Sequence, residues 1–237
     1  MLIRDMRSAN PTWGKPRIQA ELRMIGIEVS DSTVRRYRSP RHGPPSQTWR
    51  SFLENHVREI GAIDFFIVPT FTFRVLYVLL IMSHDRRRIL HFNVTTSPCA
   101  QWTSQQVVEA FPYEAAPRFL PHDRDSIFGN SFTRRVESMG VKEVVTAPGS
   151  PWQNPFCERL IGSIRRECLD HVIVLSERHL MRVLRSYASY YHSSRTQRSL
   201  DDDCPDPRSV EPAAMGDVVS LAQVGGLHHR YTRRLAS

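Results

Sequence analysis

Three acidic residues stand where their type and spacing could do chemistry on phosphate. Asp64 interrupts the apolar run Ile63, Phe65, Phe66, Ile67, Val68. A carboxylate inside an apolar strand must be paired, hydrogen-bonded or bound to a cation, because burying it bare costs several kcal/mol. The alternative is a strand-edge residue facing water, with Ile63 and Phe65 on the opposite face. Asp123 follows the short run Arg118–His122, at the C-terminal end of a predicted strand, where open α/β sheets commonly place functional groups. It shares the stretch D-R-D-S-I-F with Asp125, and taken alone either aspartate reads equally well as a turn residue. Glu158 lies in the first turns of a predicted helix behind a Gly/Pro-rich loop, where a carboxylate also favours the helix dipole. Together the three stand on a first strand, at the end of a fourth and on a following helix, an order that can bring them to one point at a sheet edge. Carboxylate oxygens suit hard divalent cations such as Mg²⁺. Two such ions about 4 Å apart can activate a hydroxyl and stabilise the leaving oxygen in in-line phosphoryl transfer.

The helix carrying Glu158 has two predicted faces. Leu160, Ile161, Ile164 and Leu169 form the buried side; Glu158, Gly162, Arg165 and Arg166 line much of the other. Arg165 and Arg166 are the expected phosphate-positioning residues, with a solvated basic face as the alternative. Asn154, just before the helix, is expected either to contact DNA near the acids or to cap the loop. Gly162 costs about 1 kcal/mol relative to Ala inside a helix, and reads as a point where another backbone or a DNA strand comes close.

The elements needed to position these residues are legible. Runs at 60–68, 72–84 and 89–96 read as three strands in an antiparallel meander, split by a turn-like PTFT and a basic DRRR. A helix capped near Ser104, the short strand 118–122, a helix at 132–139 closed by Gly140 and a fifth strand at 142–147 follow. Two longer helices are predicted over 155–171 and 176–192. This order makes an α/β layered domain with a mixed sheet. Upstream, residues 16–38 read as two short helices. Gly26 stops the first, Ser30 caps the second, and Arg35 and Arg36 begin a candidate recognition helix, so residues 1–38 are expected to be a partial helix-turn-helix DNA-binding region. An ordinary helical hairpin is the competing reading. The Pro-rich stretch SPRHGPPSQT makes 39–50 a linker, 51–210 the core domain and 211–237 a basic C-terminal tail, with one possible strand pair around VVSLA.

Composition narrows the partners. Lys and Arg outnumber Asp and Glu by 32 to 24, a net charge of +8, and nearly all the positive charge is arginine. That balance suits a nucleic-acid or other anionic partner. The four cysteines are scattered without a CxxC pair, against a zinc ribbon or disulfide framework and in keeping with a reducing compartment. The longest apolar run, VLYVLLIM at 75–82, is far shorter than the ~20 residues a membrane-spanning helix needs. The charged start is no signal peptide. A soluble cytoplasmic, nucleoid-associated protein with no membrane partner is expected.

Asp64 in AIDFF, Asp123 in HDRDSIF and Glu158 in SPWQNPFCERLIGSIRRE resemble the DDE motif of the integrase catalytic core, shared by retroviral integrases and many bacterial insertion-sequence transposases. YYHSSRTQRSL is similar to the YNxxRPHxxL segment that follows the catalytic helix in those transposases, with Gln197 where the family usually has His. NPTWGKPRIQAELRMIGIEVSDSTVRRYR is similar to the helix-turn-helix preceding their core. The resemblance implies an RNase H-like fold with a mixed five-stranded sheet flanked by helices. It also implies Asp64, Asp123 and Glu158 as catalytic ligands of two Mg²⁺ (or Mn²⁺) ions. The implied reaction is cleavage and transfer of double-stranded DNA, at transposon ends and target, by a homo-oligomer in a synaptic complex. In the family pattern D-[RN]-G-x-x-[FY], Asp123 is the ligand and Asp125 takes the usual glycine position. Between Asp123 and Glu158 lie 34 residues, against 32 from Asp125, and the family's usual spacing of about 35 favours Asp123. Two alternatives follow: an N-terminally truncated, inactive copy that only binds DNA, or an RNase H-like nuclease that cuts without joining.

Overall fold

The apolar run at 75–82 folds as the middle of an antiparallel meander in a computed structural model that describes residues 2–9, 15–30, 33, 49–112, 116–147 and 154–235. Strand β1 (Gly61–Pro69) pairs with β2 (Val75–Ser83), and β2 with β3 (Ile89–Thr95). Strands β4 (Phe119–His122) and β5 (Lys142–Val145) pair in parallel. A single parallel bridge, Ile60–Phe119, links β4 to the residue just before β1. The expected five-stranded sheet is therefore present as a three-stranded and a two-stranded sheet. No continuous ladder joins β1 to β4 among the described residues.

Period-two alternation sorts the β2 side chains onto two apolar layers. Leu79 and Ile81 join Ile63, Leu120, Val107, Phe132 and Val136 on one side, where helices α4 (Ala100–Ala110) and α5 (Asn130–Ser138) pack. Val78, Leu80 and Met82 join Ala62 and Phe66 on the other, under α6 (Pro155–Glu167) and α7 (Glu177–Ser193). A strand covered on both faces needs apolar residues throughout, which is why this stretch shows no alternation in sequence. Gly140 takes a left-handed φ of 74° just past α5, the expected helix stop. Helix α4 begins at Ala100 rather than Ser104, whose hydroxyl donates back to the Ala100 carbonyl inside the helix.

Contacts divide the chain into Met1–Gln47 and Thr48–Ser237. The first unit has helices α1 (Leu2–Ala9) and α2 (Lys15–Met24), with Ile3, Ile18 and Leu22 forming its small core. Gly26 ends this segment at φ 77°. The Ser30 hydroxyl accepts from the Thr33 backbone N–H at 3.3 Å, as a helix cap does. The rest of the candidate recognition helix, with Arg35 and Arg36, lies outside the described residues, as does the linker up to residue 48. The second unit opens on helix α3 (Trp49–Asn55), whose Phe52 meets Phe119 edge-on at 5.0 Å.

The basic C-terminal segment is a hairpin rather than a tail. Strand β6 (Asp217–Gln223) pairs antiparallel with β7 (His228–Arg234) in register from Asp217–Arg234 to Gln223–His228. Glu211 accepts from the Thr232 hydroxyl and the Arg233 N–H, and the His228 ring stacks on Tyr190 at 4.4 Å. The hairpin is thereby docked on α7. β7 is polar on both faces and the apolar residues Val218, Val219 and Leu221 of β6 do not alternate cleanly, so the sequence offers no more than a possible strand pair around VVSLA.

Candidate active site

Asp64 lies in the middle of β1, on the same alternating face as Ala62 and Phe66, and so points toward the α6 layer. Its Oδ1 accepts from the Phe65 N–H at 2.8 Å. Burial pushes its pKa up from 3.8 to about 7; the Phe65 hydrogen bond opposes this, and the negative charges of Glu158 and Asp123 add to it. Glu158 and Asp123 are thus both near enough to Asp64 for their charges to act on it.

Asp123 begins the loop after β4, and its Oδ1 accepts from the Asp125 N–H at 3.1 Å. This is a tight Asx-type turn, and it fixes the loop conformation. Asp125 has a different task. Its Oδ1 accepts from the Ile127 N–H at 3.0 Å and from the Ser126 hydroxyl, capping the one-turn 3₁₀ helix Ser126–Phe128. Among the described residues no arginine forms an ion pair with it. Phe128, at the end of that turn, packs on His122 and Phe132 at 4.5 and 5.0 Å, tying the loop to the core.

Glu158 is exposed in the first turn of α6. The helix is held down by Cys157, Leu160, Ile161 and Ile164, which are buried. Asn154 occupies the N-cap position, yet its side chain caps nothing. Buried to 6 % exposure, it donates from Nδ2 to the Ile63 carbonyl at 3.2 Å, while its Oδ1 has no partner. Asn154 therefore ties the start of the Glu158 helix to the strand residue immediately before Asp64. Of the two roles expected for this side chain, contact with DNA or a loop cap, the cap is not formed, and the side chain braces the elements of two of the three acids.

Arg165 and Arg166 separate. The Arg165 guanidinium donates to the Ile67 carbonyl at 3.3 Å and lies over the Phe66 ring. Arg166 folds back across Gly162, where a Cβ would come within 2.9 Å of its Nη1. The glycine gives room to that guanidinium.

Among the described residues no three His, Cys, Asp or Glu side chains are close enough together to enclose a metal ion. The three acids are thus within range of each other's charge and outside coordination range. The donor set is nevertheless all carboxylate oxygen, with no Lys or Arg among the described residues paired to any of the three, and fits a hard divalent cation. Cys157, beside them, is fully buried; burial and then the Asp64 and Glu158 charges push its thiol pKa well up, leaving it a neutral packing group.

The segment YYHSSRTQRSL, whose role is not readable in sequence, is a clasp. Arg195 donates from Nε and Nη2 to Glu167 at 2.7 and 2.6 Å, and Tyr187 donates to the same carboxylate at 2.9 Å. Burial alone would raise the Glu167 pKa; the Arg195 and Tyr187 hydrogen bonds outweigh it and hold the carboxyl below its ordinary value. The end of α7 is thereby locked to the end of α6.

Residues 139–205 match the Integrase core domain family. That span takes in β5, Glu158 and the clasp. No curated protein sequence matches significantly. Among solved structures, the fold matches a chain of the simian T-cell lymphotropic virus intasome in complex with PP2A regulatory subunit B56 gamma. That match has TM-score 0.53 and 11 % identity, and covers 97 % of this chain and 86 % of that one. The catalytic domain of Mos1 mariner transposase matches at TM-score 0.51 and 12 % identity, over 59 % of this chain and 74 % of that one. The same domain solved with Raltegravir and Mg matches equally well, over 75 % of its length. The family match is confined to residues 139–205, and the likeness to the integrase and transposase structures is one of fold.

Proposed function

We propose that this chain, with its integrase- and transposase-type core, is a DDE transposase of the insertion-sequence type that cuts and joins DNA strands with divalent metal. The observation that supports the reading is that Glu158 on α6 and Asp123 after β4 both raise the pKa of Asp64 on β1 by their charge, which puts the three carboxylates in one electrostatic neighbourhood. Asp64, Asp123 and Glu158 would hold two Mg²⁺ or Mn²⁺ ions. Bound there, such ions supply activation of a water or 3′-hydroxyl and charge stabilisation of the leaving oxygen.

The chain's own residues set the geometry. The Phe65 N–H orients the Asp64 carboxylate, the Asp125 N–H orients that of Asp123, and Asn154 fixes the helix of Glu158 against β1. Because phosphoryl transfer of this kind needs positioning and charge stabilisation, no Ser, Tyr or Cys nucleophile is required. The partners proposed are transposon-end and target duplexes, engaged by more than one copy of the chain in a cytoplasmic, nucleoid-associated complex. No described helix is long and apolar enough to cross a membrane.

Labelled duplexes carrying the terminal repeats that flank the gene, incubated with the protein and Mg²⁺, test this directly. Cleaved and joined products are expected, with at least a ~100-fold loss in Asp64→Asn and in Glu158→Gln. Cleavage without joining would make the protein a nuclease of the same fold. Binding without cleavage by the wild type would overturn the enzyme reading.

A further inference from the structure

A second face of α6 builds a cluster of opposite charge that the three acids leave unused. Phe156, Arg159, Ser163 and Arg166 recur at helical spacing along it. With Arg87 from the β2–β3 turn and Arg195 and Gln197 from the segment after α7, they line a cleft of about 220 Å³. Four guanidiniums therefore face one cleft. One is neutralised, since Arg195 forms its two-point pair with Glu167. Among the described residues no carboxylate forms an ion pair with Arg87, Arg159 or Arg166.

The Arg87 position is held at a cost. Its backbone, like that of Arg86 before it, is left-handed, with φ of 57° and 42°. A non-glycine residue in that region is typically strained by about 1–2 kcal/mol and persists where its surroundings over-determine it. Here Arg86 donates to Asp203 and to the Cys204 and Pro205 carbonyls, the Arg87 guanidinium lies 3.5 Å over the Phe156 ring, and Tyr191 donates to the Arg87 carbonyl at 3.0 Å. Arg87 also donates to the His84 carbonyl, yet its Nε is buried without a partner. Unsatisfied buried donors are uncommon and costly. Burial pushes the Arg87 pKa down and the nearby Arg159 charge adds to this, with Tyr191 and Asp85 opposing.

We propose that this cleft is a phosphate-binding site that takes a backbone phosphodiester of duplex DNA. Three guanidiniums without an ion pair among the described residues are the complement of the non-bridging oxygens of a phosphate, and Arg is the side chain suited to bidentate phosphate contact. Glu158 and the cleft residues sit on adjacent faces of one helix, so a phosphate held by Arg159 and Arg166 fixes the strand's path relative to the acids. Assigning DNA as the source of the phosphate rests on the transposase reading above.

The test uses the full chain and a fluorescein-labelled 30-base-pair duplex, with binding followed by anisotropy across a salt series without Mg²⁺ so that no strand is cut. In Arg159→Gln/Arg166→Gln, the Kd should rise roughly 10–100-fold and the salt slope should fall by about two phosphate contacts. Arg182→Gln/Arg185→Gln removes the same charge from α7 and should change Kd less than about 3-fold. Gly162→Ala keeps every charge and only displaces the Arg166 guanidinium; it should weaken binding roughly 3-fold with an unchanged or higher Tm, because Ala favours the helix. Equal losses in the two double variants, or none in the cleft variant, would overturn the site while leaving the transposase reading intact. A wild type that binds no duplex would overturn both. Tight capture of inorganic phosphate that leaves duplex binding unaltered would show that the cleft takes a free phosphate instead.

Discussion

On one face of α6, Glu158 adds its charge to that of Asp123 beside Asp64, and among the described residues no Lys or Arg pairs with any of the three. On the neighbouring face, Arg159 and Arg166 join Arg87 and Arg195, and a single carboxylate, Glu167, neutralises only Arg195. The two clusters differ in what restrains them. The acids sit on β1, the loop after β4 and α6, and are braced through backbone groups and Asn154. The arginines are braced by aromatic stacking, carbonyls and one ion pair. A helix with balanced surface pairs would stabilise the fold more. A negative face beside a positive face is what the proposed metal and phosphate sites would need.

The sharpest way to break that comparison is to remove charge from the acidic side. Asp64 has its pKa at about 7 in the folded chain and at 3.8 ordinarily. The folded state binds this proton more tightly, so the stability contributed by protonated Asp64 is complete below about pH 3.8 and is lost as pH rises through about 7. Asp64→Asn should therefore match the wild type near pH 4 and exceed it by roughly 2–4 kcal/mol at pH 8 in EDTA, measured by urea unfolding. Added Mg²⁺ should stabilise the wild type at pH 8 and leave the variant unmoved. A variant no more stable than wild type at pH 8 would show that Asp64 is not desolvated among like charges.

Next in size is the brace between the two sides. Asn154→Ala loses the hydrogen bond to Ile63 and should cost about 1–2 kcal/mol. Its larger effect should be on turnover, because a helix start shifted by a fraction of an ångström misplaces Glu158. Cleavage should slow roughly 10-fold, while duplex binding, governed by the arginine face, stays within about 2-fold. If binding fell and cleavage at saturating DNA did not, Asn154 would be a DNA contact after all.

The strands and helices around these clusters were legible because each obeys a single local rule. β2 is a continuous apolar run, β1 alternates around Asp64, and Gly140 marks a stop. What sequence could not show is how elements meet. Helix α1 has only Ile3 and Met6 to suggest a buried face, and it is stabilised by packing on Ile18 and Leu22, a tertiary fact. The β6–β7 hairpin carries no clean apolar period, since its support comes from Glu211 and the Tyr190–His228 stack. Arg165 and Arg166 are neighbours in sequence but about 100° apart on a helix, so one grips β1 and the other reaches the cleft. Arg87 was hidden in a basic turn, where only its left-handed backbone and its place over Phe156 distinguish it.

The smallest expected effect separates the two aspartates of D-R-D-S-I-F. Asp125 caps a single 3₁₀ turn, and Asn caps as well as Asp. Asp125→Asn should therefore leave stability within a few tenths of a kcal/mol, and Asp125→Gly should cost only a few tenths more. Neither should alter the Mg²⁺ concentration needed for half-maximal cleavage, whereas Asp123→Asn should abolish cleavage. The Asn substitution isolates charge from capping. A higher Mg²⁺ requirement in Asp125→Asn at unchanged Tm would therefore make Asp125 a fourth carboxylate of the acidic face, and the turn would no longer be its whole role.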